Sequence, residues 1–306
     1  MKLTKLQLIL GKTSPLRYVL AIIIIAFVYI FSTIPFSLAL VAEAGQEKIL
    51  EMSQAEIFSS LGLNTTLFYM LLPFAIAFFA ILFIVKFIHH QKIKSLVTTR
   101  PSLDWRRVAF SFSLVSFFAL LSFGLDLYFF PEKYEWNFVL DKFLILFLIA
   151  VLMIPLQTTA EELLFRGYFM QGLGVAFGNR LAPLLTTSIS FGLLHIMNPE
   201  IEKLGYEIII IYIATGLFLG IITLMDEGLE LAIGFHAANN LIIALLVTSN
   251  WTAFQTHSIY RDVSDPNLAT YIILPLLMYI IFGYIFKRKY KWGSWKSHLT
   301  GPLNSK

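Results

Sequence analysis

The sequence predicts an all-α, polytopic membrane protein of about eight transmembrane helices, with both termini in the cytoplasm. Three observations predict it. The 306 residues are 58% hydrophobic and only 14% charged, against about 25% charged residues in a soluble domain. Apolar runs that can cover a hydrocarbon core of about 30 Å, or nearly so, take up half of the chain. Lys and Arg gather on alternate connections between those runs. A mean hydropathy of +0.76 agrees. Together these exclude a soluble enzyme and a disordered chain. The absence of cysteine excludes disulfides, thiolate metal sites, cysteine nucleophiles and S-palmitoylation. A β-barrel needs alternating strands of about 10 residues, and none are seen.

The first span, Tyr18–Val41, runs into Ala42, Glu43 and Ala44, which look like a signal-peptidase site. Its apolar part is longer than the roughly 7–15 residues of a signal peptide, so it is read as a retained helix. The second, Leu67–Val85, holds Pro73. The third, Val108–Phe130, holds Asp126 near its outer end, read as a solvated helix end. The fourth, Phe143–Ala160, holds Pro155 and leads without a break into charged residues. The fifth, Leu181–Ile196, is the weakest: it is short and holds Thr186, Thr187, Ser188 and Ser190. The sixth, Ile208–Met225, carries Gly216 and Gly220, a small-residue pair suited to close helix packing. The seventh is Leu229–Val247 and the eighth Leu268–Phe286. Prolines inside spans are tolerated where neighbours satisfy the backbone.

Loop charge tests this count. With eight spans, one side collects eighteen of the twenty-three Lys and Arg. They include Lys2, Lys5, Lys12 and Arg17 before the first span and Lys287, Arg288, Lys289, Lys291, Lys296 and Lys306 after the last. The positive-inside rule makes that side cytoplasmic. The net charge of +4 is therefore a topology signal and not the footprint of a nucleic-acid partner. No internal repeat appears. A single membrane domain is expected: a three-helix region over 1–140, a core over 141–290, and a basic tail over 291–306. Trp292 and Trp295 in that flexible tail suit the membrane interface.

Ionisable residues inside spans are costly and usually functional. The fourth helix runs into Glu161 and Glu162, with Arg166 following. Glu162 and Arg166 are four apart and can pair on one face, while Glu161 points about 100° away. The fifth helix ends in Phe191 and His195. The seventh carries His236 and Asn240, one turn apart, with Ala237 and Ala238 allowing a close neighbour. His89, His90, His257 and His298 fall in loops or the tail and are assigned no chemistry. Convergence of the three groups requires the fourth helix to continue toward Gly172.

Two chemistries fit these residues. In one, Glu161 is a general base on water, His195 helps to hold that water, and His236 and Asn240 donate to a developing oxyanion. In the other, Glu161, His195 and His236 are three ligands of a catalytic divalent metal such as zinc, with water in the open position. No HExxH is present, which excludes a soluble-zincin arrangement.

The segments Glu161–Gly167 (EELLFRG), Phe191–His195 (FGLLH) and His236–Asn240 (HAANN) resemble the EExxxR, FxxxH and HxxxN motifs of the CPBP family. These are the CAAX proteases and bacteriocin-processing enzymes, also called type II CAAX prenyl endopeptidases or the Abi family. The three motifs occur in order within Glu161–Asn240, on hydrophobic helices, and no motif position departs. The resemblance implies an all-helical intramembrane endopeptidase of a bacterial cell membrane, acting on lipidated or membrane-associated peptides or proteins. It implies that Glu161 and His195 activate water, that His236 and Asn240 stabilise the oxyanion, and that Glu162 and Arg166 support them. The family is commonly called metalloprotease, and a glutamate mechanism without metal is also argued for it. Two other functions compete: a non-catalytic membrane peptide-binding or immunity protein, and a proton- or metal-coupled transporter. Transport would favour inverted repeats, and intact motifs favour catalysis over binding.

Overall fold

Within lipid every backbone N–H must find a partner in its own chain, so uninterrupted apolar runs become helices. The computed structural model describes residues 14–301. Lys2, Lys5, Lys12 and Lys306, used in the charge count, lie outside them. The first predicted span is two helices, α1 (Pro15–Ser32) and α2 (Ile34–Ala44). Pro35 stands at the start of α2, where a missing N–H costs nothing, and it cannot continue α1 across Thr33. Ala42, Glu43 and Ala44 form the last turn of α2.

Helix α3 (Leu63–Phe83) passes through Pro73 and widens into a π-helical turn over Ile84–Ile88. Helix α4 (Trp105–Phe129) is capped by Asp104, whose side chain accepts the Arg106 N–H. Helix α5 (Leu140–Glu162) runs past the end of the predicted apolar span at Ala160. It continues through a π-helical stretch, Leu163–Phe169, into α6 (Met170–Phe177). The whole run is 38 residues, about 57 Å at 1.5 Å per residue. That is nearly twice a hydrocarbon core, so the charged residues sit well within a helix rather than at its end. After α6 follow α7 (Leu181–Leu193), α8 (Ile209–Asp226), α9 (Glu230–Leu246) and α10 (Leu268–Tyr290).

Among the described residues, six helical stretches are long and apolar enough to cross a membrane. The protein is an integral, multi-pass, all-α membrane protein. The fifth and seventh predicted spans differ from the rest: α7 has 13 residues and α9 has 17, about 20 and 26 Å. These two shorter helices, together with α5 and its π-helical continuation, carry the motif residues except His195, which follows the end of α7. Of the six long stretches, the one that carries α8 is the most buried, with 56% of its apolar window inside the protein against 11% for α4 and α10. It packs along α7, while α9 packs along α4 and α5 and α3 along α5. The predicted small-residue pair explains the first contact. A Cβ on Gly216 would stand 2.9 Å from the Ser188 carbonyl oxygen, so only glycine allows α8 that close to α7.

Three further features depart from expectation. A three-stranded sheet joins Tyr134–Trp136 and Val247–Thr248 to Tyr260–Asp262, antiparallel to the first and parallel to the second. The tail is also tied down. Trp292 is buried and its indole N–H donates to Asp226 at 3.1 Å. Asp226 in turn pairs with Arg107 and, at 2.7 Å, with Arg100. Arg100 also pairs with Glu230 at 3.0 Å. This cluster fixes the α8–α9 turn and so the register of α9. His89, expected in a solvated loop, is buried and shares a 2.7 Å hydrogen bond with the Tyr168 hydroxyl.

Candidate functional site

Glu162 and Arg166 meet as their spacing predicts. Arg166 Nη1 donates to Glu162 Oε1 at 3.0 Å, and both side chains are fully buried. Arg166 lies in the π-helical stretch. Its Nη2 donates to the Gly216 carbonyl at 3.1 Å, and its guanidinium rests 4.4 Å from the centre of the Phe191 ring. The arginine thereby ties α5 to α8 and to α7. A buried cation is tolerable only with such company.

Glu162 has a second partner. His236 Nδ1 donates to the same Oε1 at 2.8 Å. A carboxylate only accepts, so Nδ1 carries the hydrogen and Nε2 faces away from Glu162. Nε2 then lies 3.8 Å from Glu161 Oε2. Glu161 and His236 keep slight exposure, 13% and 8% of their side chains, whereas Glu162 and Arg166 have none. The first two are therefore the more accessible pair, and the latter two lie deeper.

The other oxygen of Glu161 is held by a residue the sequence reading passed over. Gln157 Nε2 donates to Glu161 Oε1 at 2.5 Å, and Gln157 Oε1 accepts from Asn240 Nδ2 at 3.3 Å. Asn240 Oδ1 accepts from Asn239 at 3.2 Å. Gln157 lies one turn before Glu161 on the same face. Its signal was a lone amide in an apolar run, which a search restricted to ionisable residues does not catch.

His195 stands beyond the end of α7, in a turn and not inside a span. The turn closes with short-range bonds, His195 N–H to Gly192 O at 3.1 Å and Asn198 N–H to His195 O at 3.0 Å. Pro199, next along the chain, disfavours a helical Asn198 and so forbids continuation of the helix. His195 Nδ1 donates to the Phe191 carbonyl at 2.8 Å, which leaves Nε2 as the acceptor of the neutral ring. Tyr212 of α8 stacks on the ring at 4.3 Å. Phe191 lies between the two histidines, its ring centre 4.8 Å from that of His195 and 6.1 Å from that of His236.

Glu161, Glu162, Arg166, His236 and Asn240 thus form one connected cluster, and His195 stands beside it across Phe191. Both histidine rings are oriented as metal-ligating rings are, with Nδ1 on an oxygen. The grouping does not follow. Among the described residues no three His, Asp or Glu side chains are arranged to hold one metal ion, so Glu161, His195 and His236 are not brought together as a ligand set. The chemistry below uses none.

Residues 140–242 match the family model described as type II CAAX prenyl endopeptidase Rce1-like. The match spans all three motifs, and the resemblance read from them holds. The chain is also similar to the uncharacterized protein YyaK of Bacillus subtilis (strain 168), with 30% identity over 188 residues. That alignment takes in 61% of this chain and 60% of the relative, so the chain spans about three fifths of the curated relative it matches. No solved structure matches the chain significantly.

Proposed function

We propose, from the Rce1-like character of residues 140–242, that the chain is an intramembrane endopeptidase. It hydrolyses a peptide bond with water activated by Glu161, and no covalent intermediate forms. The observation that supports this reading best is the division of labour in the cluster. One oxygen of Glu161 is held by Gln157, and the other is free beside His236 Nε2.

In the first step Glu161 Oε2 takes a proton from water as the oxygen attacks the scissile carbonyl. His195 Nε2 accepts a hydrogen bond from the same water and orients it. The carbonyl π electrons move onto oxygen. Asn240 Nδ2 has two hydrogens; one is used by Gln157 and the second is available to that oxyanion. His236 donates through Nε2 when its ring carries both protons, the Nδ1 proton resting on Glu162. Preorganised donors of this kind act where charge develops in the transition state. In the second step the tetrahedral centre collapses, the C–N bond breaks, and Glu161 returns its proton to the leaving amine.

The substrate class proposed is the C-terminal segment of a lipidated or otherwise membrane-associated peptide or protein. A catalytic site framed by membrane helices suits a substrate held at the bilayer. The test is the purified protein in nanodiscs with a fluorogenic S-farnesylated CAAX peptide and its unprenylated twin. Release of the terminal tripeptide by the wild type, and a fall of about 10²-fold or more in Glu161→Gln, is the expected result. Cleavage at wild-type rate by Glu161→Gln overturns the reading.

A further inference from the structure

We infer that Gln157 is a positioning residue of this reaction, aligning the carboxylate of Glu161 with the amide of Asn240. The inference rests on the hydrolytic reading above. Gln157 is 5% exposed and sits on α5, one turn before Glu161. Its two polar atoms face two different helices. Nε2 is bonded to Glu161 within α5, and Oε1 to Asn240 on α9.

A primary amide satisfies both bonds at once, donating from nitrogen and accepting at oxygen. A carboxylate accepts and cannot donate to Glu161; a lysine donates and cannot accept from Asn240. Holding Oε1 of Glu161 has a directional consequence: Oε2 becomes the oxygen that meets water. Accepting one Asn240 hydrogen has another. Asn240 Oδ1 is already engaged by Asn239, so the amide cannot flip without losing two bonds, and its second Nδ2 hydrogen has a fixed direction. Base and donor act on opposite ends of the same attack, on water and on carbonyl oxygen. A single side chain therefore sets their separation.

Pro155, two residues earlier, lacks the N–H that would bond Val151. Thr158 turns its hydroxyl back to the Ile154 carbonyl at 3.1 Å. Neither feature involves the Gln157 side chain, whose hydrogen bonds run to other side chains, so replacing it should leave α5 in place.

The experiment compares wild type, Gln157→Leu, Gln157→Glu and Glu161→Gln in nanodiscs on the S-farnesylated CAAX peptide. It records kcat, KM, the pH–rate profile and Tm. Gln157→Leu should lower kcat about 10- to 100-fold with KM changed less than about twofold, since misplacement of a catalytic group acts mainly on kcat. Gln157→Glu places a second carboxylate against Glu161. The acidic limb of its pH–rate profile should move to higher pH, because two adjacent carboxylates resist holding two charges. A merely structural Gln157 would lower Tm in Gln157→Leu and leave its kcat near that of the wild type. Wild-type kcat and profile in both Gln157 variants, with Glu161→Gln inactive, would overturn the role of Gln157 and leave hydrolysis standing. Full activity of Glu161→Gln, or none in the wild type, would instead remove the hydrolytic reading itself.

Discussion

Glu162 and His236, on helices α5 and α9, meet at 2.8 Å through Oε1 and Nδ1, and the same Oε1 also receives Arg166 at 3.0 Å. The second carboxylate of the motif is therefore a hinge between a fixed arginine and the slightly exposed His236. The pair of Glu162 with Arg166 was expected from their spacing. The bond to His236 was not, because it crosses between helices.

Glu162→Gln tests that hinge. The amide still accepts from Nδ1, but Arg166 becomes an uncompensated buried charge. Removing one partner of a buried pair costs about 3–5 kcal/mol. Tm in nanodiscs should drop sharply, and Arg166→Met should drop it similarly by stranding Glu162. The double variant Glu162→Gln, Arg166→Met should recover part of the lost Tm without recovering activity, since His236 still lacks a charged partner. A double variant no more stable than the worse single variant contradicts this account.

The orientation in the membrane is open to a direct test. Eighteen of the twenty-three basic residues fall on one predicted side. A reporter fused after Lys306 should behave as cytoplasmic, and one inserted in the 45–62 connection as extracytoplasmic. The reverse signal at either site would break the assigned topology.

The helical content and the apolar runs were legible because lipid leaves the backbone few choices, and hydropathy states that choice directly. The motif residues were legible because charged side chains in apolar runs are conspicuous. Three things were not. Helix α7 stops at Leu193, so His195 occupies a turn; hydropathy continues through Ile196 and hides the stop. The π-helical stretch Leu163–Phe169 has no composition signal, yet it directs Arg166 toward Gly216. Trp292 resembles an interface anchor in sequence, whereas an indole N–H can equally serve a buried aspartate, as it does with Asp226. In the last two cases the deciding partner lies far along the chain.

The contact between α7 and α8 yields a sharper prediction than its sequence motif did. A methyl group on Gly216 would stand 2.9 Å from Ser188 O and 3.0 Å from Ser188 Cα, both backbone atoms that cannot rotate away. The helices must separate. Gly216→Ala should cost about 1–3 kcal/mol, as overpacking does. It should also reduce activity, because the Gly216 carbonyl accepts from Arg166. Gly124 has open space around its Cβ position, so Gly124→Ala is the control and should leave Tm and activity unchanged. Equal Tm for the two variants would refute the packing argument.

The role of His236 separates a metal mechanism from an oxyanion mechanism, and the hydrogen bonds sharpen the choice. With Nδ1 on Glu162, Nε2 is either a lone pair for a metal or a second N–H for an oxyanion. A ligand role requires about one metal per active chain and reversible loss of activity with a chelator. A donor role requires that activity survive metal removal. His236→Ala and Asn240→Ala should then each cost about 3 kcal/mol in kcat/KM, carried by kcat with little change in KM. Substitution by glutamine separates the two further. His236→Gln keeps an N–H donor on that turn of α9, so it should recover part of what His236→Ala loses. As a ligand, glutamine is a poor replacement for imidazole, and no recovery is expected. The donor role is the better supported, because Asn240 one turn away offers a free amide hydrogen to the same oxygen and is itself an uncommon zinc ligand. Metal-free protein that is inactive and recovers with one equivalent of zinc, together with His236→Gln no better than His236→Ala, would reverse that assignment.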